Sequence, residues 1–311
     1  MELNFSNPIT LVIAKSLFGE NLKKAAFVML QDNKNSFRLN SKLIAISQII
    51  ARQLHIEFST RTQIEFESSP SEIVELSKYQ NQFDNGHKII MTGSDSYCAL
   101  GFNNLFKFPL TKLNLTRKWR TIEFKSNDLL YGLNISLHKN HVFKNATLED
   151  FSLVEMKSIL NVIAKNLPFF KIGNDVQKNT DYLLAMPHIH NLVGSEFNAE
   201  FFRCVKLIAK EKNLAILVKN HPNDKFNYRE YLKGSINTVF LDSDEERQIP
   251  AEILMQTSNI KFTLSVPSSA LLFADLSCLQ LYGAKDRHMF RTRFLDQTPF
   301  LERLNIKMKL I

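Results

Sequence analysis

Glycine is scarce in this chain, with nine residues in 311, near 3% where about 7% is usual. Neither GxGxxG nor GxxxxGK[ST] occurs. The usual dinucleotide and P-loop fingerprints are therefore absent, and any phosphate has to be met by side chains or helix N-termini. Cysteine is scarcer still. Cys98, Cys204 and Cys278 lie far apart, odd in number and without a CxxC, which argues against a disulfide framework or a zinc site and fits a reducing cytosol. No apolar run approaches the ~18 residues of a membrane span. Met1-Glu2-Leu3-Asn4 offers no basic region ahead of an apolar one, so no secretory signal is read. A cytoplasmic chain is expected, with peripheral attachment at the inner face of the cell membrane left open. Runs of five or six like charges, internal repeats and low-complexity tracts are also missing.

What is there is ordinary globular composition, 44% hydrophobic and 23% charged. At roughly 150 residues per domain, the length suggests two domains. Lys and Arg outnumber Asp and Glu by 39 to 31, a net charge of +8. Residues 281–311 hold seven basic against three acidic side chains, a local +4. Such a segment meets an anionic surface or is simply a solvated basic face. The tail Arg303–Ile311 mixes Lys with Leu, Ile and Met, so it is expected either to rest on anionic lipid or to fold back as a helix. No RNA- or DNA-binding module and no aromatic–basic interleaving is visible, so no nucleic-acid partner is expected.

Periodicity gives an α/β pattern. In the first half, helices are predicted over 8–18 and 41–54, the latter capped by Ser41, and a third opens at Ser69-Pro70-Ser71-Glu72. Strands are predicted at Ala25–Leu30, over 55–66, at Lys88–Thr92 and at Thr121–Phe124. Asp84-Asn85-Gly86 reads as a hairpin-type turn. Residues 147–167 form the clearest helix, with Thr147 and Asp150 as a capping box, and Lys171–Thr180 is a linker. In the second half, apolar strands at 182–186, 214–218, 238–241, 260–264 and 278–282 alternate with helical patterns at 196–211, 226–233, 250–257 and 268–276. Strands that are apolar nearly throughout indicate a parallel sheet covered on both faces. The fold class is α/β, with two Rossmann-like domains, 1–170 and 171–311, whose parallel sheets face a cleft.

Three motifs fall at the carboxyl ends of predicted strands, where open α/β sheets bind ligands. Lys219-Asn220-His221-Pro222 follows LAILV, Pro250-Ala251-Glu252 follows TVFL and its loop, and Pro267-Ser268-Ser269 follows IKFTL. Ser268 and Ser269 would offer two hydroxyls and free N–H groups at a helix N-terminus to a phosphate. His221 can donate to a phosphate oxygen, and Glu252 can accept from a ribose diol. Taken singly, each has a plainer explanation: a His-Pro turn, a helix cap, an acid serving a helix dipole. Their order at successive strand ends is the stronger signal.

That series resembles the HP-motif sialyltransferases and polysialyltransferases of bacteria, most of all glycosyltransferase family 52, over about residues 180–285. HP and Ser-Ser motifs also occur in CDP-glycerol polymerases and Kdo transferases, and the IPAEIL segment favours the sialyltransferase side. The resemblance implies a GT-B fold and an inverting, metal-independent transfer of a nonulosonic acid from a CMP-sugar to a glycan or glycolipid acceptor of the cell surface. It implies no cofactor beyond the donor. His221, Pro222, Ser268 and Ser269 would lie at the CMP phosphate and Glu252 at its ribose, with His221 also counted in the chemistry. The alternatives are a CMP-Kdo or CDP-polyol transferase, or a degenerate, non-catalytic GT-B protein.

The resembling families keep their general base in an Asp/Glu-Asp-Gly motif after an N-domain strand. Here Thr121–Phe124 is followed by Lys125-Ser126-Asn127-Asp128, so Asp128 is the expected base, with Asp95 as the alternative. His188 and His190 are expected at the same edge as the strand-end motifs. His138 and His141 have no acids nearby, so no metal site is expected.

Overall fold

The computed structural model describes residues 1–29, 34–78, 86–91, 124–132, 145–166, 180–187, 190–221, 224, 226–235, 237–243, 246–247, 249–257, 259–265, 270–271, 277–282 and 307–310. The chain divides into two compact units, Met1–Ile163 and Ala164–Ile311.

In the first unit the strands are β1 (Glu2–Phe5), β2 (Lys24–Val28), β3 (Glu57–Arg61), β4 (Ile73–Glu75), β5 (Lys88–Ile90), β6 (Leu129–Gly132) and β7 (Thr147–Asp150). They form one sheet in the order β3-β2-β1-β4-β5-β6-β7, with every pairing parallel. The helices are α1 (Pro8–Phe18), α2 (Lys34–Gln53), α3 (Gln63–Ser68) and α4 (Leu153–Asn166). Asn7 caps α1 by accepting from the Ile9 N–H, Pro8 fills its first position, and Gly19, at φ +52°, ends it. The helix buries Ile9, Leu11, Val12, Ile13 and Phe18, each worth about 1.5–3 kcal/mol of transfer free energy.

The second unit holds β8 (Tyr182–Met186), β9 (Ala215–Lys219), β10 (Thr238–Leu241), β11 (Ile260–Ser265), β12 (Ser277–Tyr282) and β13 (Lys307–Leu310), with helices α5 (His190–Glu211) and α6 (Ala251–Leu254). Their order is β10-β9-β8-β11-β12-β13, again parallel throughout. Phe201, Phe202 and Val205 of α5 pack on Leu183, Ile216, Val218 and Leu264 of the sheet. Tyr228 and Tyr231 extend that core under the loop after β9, where the Phe202 and Tyr231 rings stack at 5.5 Å. Each sheet reverses its winding at one place, β1/β4 in the first and β8/β11 in the second, and such switch points are where doubly wound sheets take ligands.

Several expected elements are corrected. Thr147–Asp150 is the edge strand β7 rather than a capping box. The helix begins after it, where Ser152 Oγ accepts from the Glu155 N–H at 3.4 Å. Ser69-Pro70-Ser71-Glu72 opens the buried strand β4, not a helix. The strand expected over 55–66 ends at Arg61, and Thr62 and Glu65 form the capping box of α3. α2 starts at Lys34, so Ser41 lies inside it. Because β4 and β5 run parallel, no hairpin joins them at Gly86. Lys307–Leu310 is a strand beside β12, where a helix was the alternative to a lipid-bound tail. Thr121 to Glu123, the linker up to Asn179, and the helix expected over 268–276 apart from Ala270 and Leu271 lie outside the described residues. Among the described residues, no helix is long and apolar enough to cross a membrane.

Candidate functional site at the strand ends of the second unit

Strand β9 is buried along its whole length and carries the chain into Lys219, Asn220 and His221. Lys219 and Asn220 are also buried, whereas His221 is exposed at the carboxyl end of the strand. The loop that follows is folded back and pinned. The Asp224 N–H donates to His221 O at 2.8 Å, Asn220 Nδ2 donates to Phe226 O at 3.0 Å, and Asp224 Oδ1 accepts from the Phe226 N–H at 3.0 Å. The Tyr228 hydroxyl donates to Asp224 Oδ2 in a short bond. Buried and doubly held, Asp224 fixes the turn that presents His221.

Glu252 lies in the first turn of α6, after Pro250, and is half-buried. Burial pushes its carboxyl above the ordinary range, against the opposing pull of its own backbone N–H and of the Lys219 charge. Lys219 is the counterpart: burial lowers its ammonium to about 8, and the Glu252 charge partly restores it. The structure therefore brings the end of β9 and the Glu252 segment into electrostatic contact. Lys219 Nζ makes the physical link by donating to Arg247 O at 3.0 Å.

Beside them, a cavity of about 280 Å³ is lined by Asn220, Phe226, Asn227, Arg229, Asp242 and Arg247. Arg229 is held by Asp242 at 2.6 Å and lies over the Phe240 ring, 4.3 Å from its centre. Two guanidinium groups, one carboxylate and an aromatic face suit a polar, anion-bearing ligand. Pro222, Ser268, Ser269, Asp95, His138, His141 and His188 lie outside the described residues, as does the His190 side chain. Among the described residues, no three His, Cys, Asp or Glu side chains come together as a metal site.

Asp128 has a different setting. It is 1% exposed and precedes β6, so it stands at the amino end of that strand. Its Oδ1 accepts from the His87 N–H at 2.9 Å and its Oδ2 from the Lys125 N–H at 2.7 Å. Oδ2 thus closes the turn from Lys125 to Asp128 and Oδ1 ties that turn to His87, beside Gly86, which packs so closely that a Cβ there would lie 2.5 Å from Asn127 O.

The carboxylate at the carboxyl end of a central strand of the first unit is Glu75, on β4 at the switch point. It is buried. Its Oε2 accepts from the Ser6 and Asn7 N–H groups at 2.8 and 2.9 Å and from Thr10 Oγ1 at 3.0 Å. Its Oε1 accepts from Ser6 Oγ at 3.3 Å and Ser77 Oγ at 2.5 Å. Five donors make Glu75 the anchor of the β1–α1 turn. Sequence reasoning missed it because Ile73-Val74-Glu75 was placed in a helix. It passed over Lys219 as a spacer in a motif, although a lysine closing an apolar strand was the available signal.

No family model and no curated protein matches the sequence. Solved structures do match in shape. An α/β-galactoside α-2,3-sialyltransferase from Photobacterium phosphoreum is 13% identical at a TM-score of 0.52, over 99% of this chain and 98% of that one. The GT-B domain of a sialyltransferase from Photobacterium damselae is 11% identical at 0.50, over 100% of both. UDP-GlcNAc 2-epimerase from Neisseria meningitidis, bound to UDP-GlcNAc, is 11% identical at 0.50, over 90% of this chain and 82% of that one. At these identities the likeness is one of fold: the chain has a GT-B-like fold of two Rossmann-like domains.

Proposed function

We propose that the chain is a glycosyltransferase of the sialyltransferase kind, moving a nonulosonic acid such as sialic acid from a CMP-sugar to a galactoside-type glycan acceptor. One observation carries the reading: His221 and Glu252, singled out by sequence, stand after the carboxyl end of β9 and in the first turn of α6, eleven residues beyond β10, with Glu252 within electrostatic reach of Lys219 at the end of β9. The near-complete two-way coverage of a sialyltransferase of this fold supports it.

In this reading a nucleoside monophosphate lies along that edge. The Glu252 carboxyl meets the ribose hydroxyls, and the exposed His221 imidazole donates to the phosphate as the bond to the sugar breaks. Ser268 and Ser269 offer two hydroxyls to the same phosphate, so the single negative charge that CMP gains on leaving is met by fixed donors. A carboxylate would take the acceptor hydroxyl's proton as its oxygen attacks the anomeric carbon. Buried, with one oxygen engaged by its own turn and the other by the His87 N–H, Asp128 suits a structural role better than this one. Incubation with CMP-sialic acid, CMP-Kdo, CDP-glycerol and UDP-GlcNAc, each with a galactoside acceptor, tests the assignment. Release of CMP with CMP-sialic acid alone is expected, and turnover of UDP-GlcNAc in place of any CMP-sugar would overturn it.

A further inference from the structure

The loop after β9 and the segment after β10 brace each other. Lys219 Nζ donates across to Arg247 O, and Arg247 Nη1 donates back to Asp224 O at 3.3 Å. The Asp224 N–H in turn donates to His221 O. The turn that presents His221 and the chain that runs from Arg247 into Glu252 are therefore clasped together from both sides. A cation begins each crossing bond.

A lysine is a costly residue for that place. Lys219 is 5% exposed, and both acceptors of its ammonium, Asn220 O at 3.2 Å and Arg247 O, are neutral carbonyls. An apolar side chain would continue the buried strand without desolvating a charge. The titratable groups on the neighbouring segments are Glu252 on α6, Arg247 and Asp242 after β10, and His221 and Asp224 after β9. Of these, Glu252 acts on it through space. Costly buried ionisable groups at a ligand edge tend to be functional.

We propose that Lys219 is a positioning residue of the nucleotide site, whose side-chain nitrogen clasps the Glu252 segment to the His221 turn through its bond to Arg247 O. The proposal rests on the nucleotide-sugar reading above. Burial lowers Lys219 to about 8, so deprotonation in mild alkali relieves its desolvation and leaves the clasp in place, because a neutral amine still donates to both carbonyls.

The test is a CMP titration from pH 7 to 9.5 on the wild type and on Lys219→Met, with amide hydrogen exchange of residues 219–224 and 246–252 in both. Glu252 is present in both proteins, so its own titration is common to them. The wild type is expected to hold its affinity across that range, because the neutral amine keeps its bonds to the two carbonyls. The Met variant should bind about tenfold more weakly at every pH and exchange faster in both segments. Wild-type affinity in the variant, weaker binding with unchanged exchange in both segments, or a wild type that weakens tenfold as Lys219 deprotonates overturns the proposal. A wild type that binds no CMP at any pH defeats the nucleotide reading itself, and the proposal with it.

Discussion

Lys219→Met also makes a prediction about folding that needs no ligand. Burial lowers the Lys219 ammonium from its usual 10.5 to about 8. Below pH 8 the group is charged in both the folded and the unfolded chain, and the folded chain bears the whole desolvation cost. Between pH 8 and 10.5 the unfolded chain holds the proton that the folded chain has released. Stability therefore rises with pH through that window. The shift corresponds to about 3 kcal/mol at 1.36 kcal/mol per unit. Methionine has nothing to titrate, so the difference in unfolding free energy between wild type and variant should move by about 3 kcal/mol in favour of the wild type as pH rises from 7.5 to 10.5. Groups common to both proteins cancel in the comparison, among them Tyr131, which burial pushes up to about 12. Urea unfolding at several pH values, followed by a probe in the second unit because two domains need not unfold together, measures it. Curves that stay parallel from pH 7.5 to 10.5 would refute the buried, depressed ammonium and the argument built on it.

Other substitutions separate structure from chemistry. Asp128→Asn puts an amide N–H against one of two backbone donors, so it should cost about 1–3 kcal/mol of stability and leave turnover per folded molecule intact. A fall of 10²–10⁴ in turnover at unchanged melting temperature would instead make Asp128 the base. Glu75→Gln should likewise destabilise the first unit by about 2 kcal/mol or more, seen as a lower thermal midpoint with CMP affinity unchanged. Glu252→Gln should weaken CMP binding while narrowing the preference for CMP over deoxy-CMP in calorimetry. An unaltered ratio would take the ribose away from Glu252.

The second unit was the more legible half because its strands are buried on both faces. YLLAM, AILVK, TVFL and IKFTLS announce themselves as short apolar runs between helices, and their bounds shift by only a residue or so between sequence and structure. The polar edge strand β7 and the three-residue β4 carry no such signal. Thr147-Leu148-Glu149-Asp150 is exposed at all but Leu148 as β7, and its polar residues imitate a helix cap. Ile73-Val74-Glu75 has only three residues behind a Ser-Pro-Ser-Glu start that elsewhere opens helices. His221 and Glu252 could be found because the strands before them could be found. Asp128 was placed by counting from a strand expected at Thr121–Phe124, most of which lies outside the described residues, and among the described residues Asp128 immediately precedes strand β6. The jobs of Lys219 and Glu75 come from contacts 28 and about 70 residues away, which no local pattern encodes.

The central claim is that the carboxyl edge of the second sheet holds a cytidine monophosphate. A crystal structure with CMP soaked in at millimolar concentration tests it most directly. The account predicts the ribose hydroxyls against Glu252 and the phosphate against His221, Ser268 and Ser269. Nucleotide bound elsewhere, or an empty strand edge in crystals that hold CMP, would contradict it.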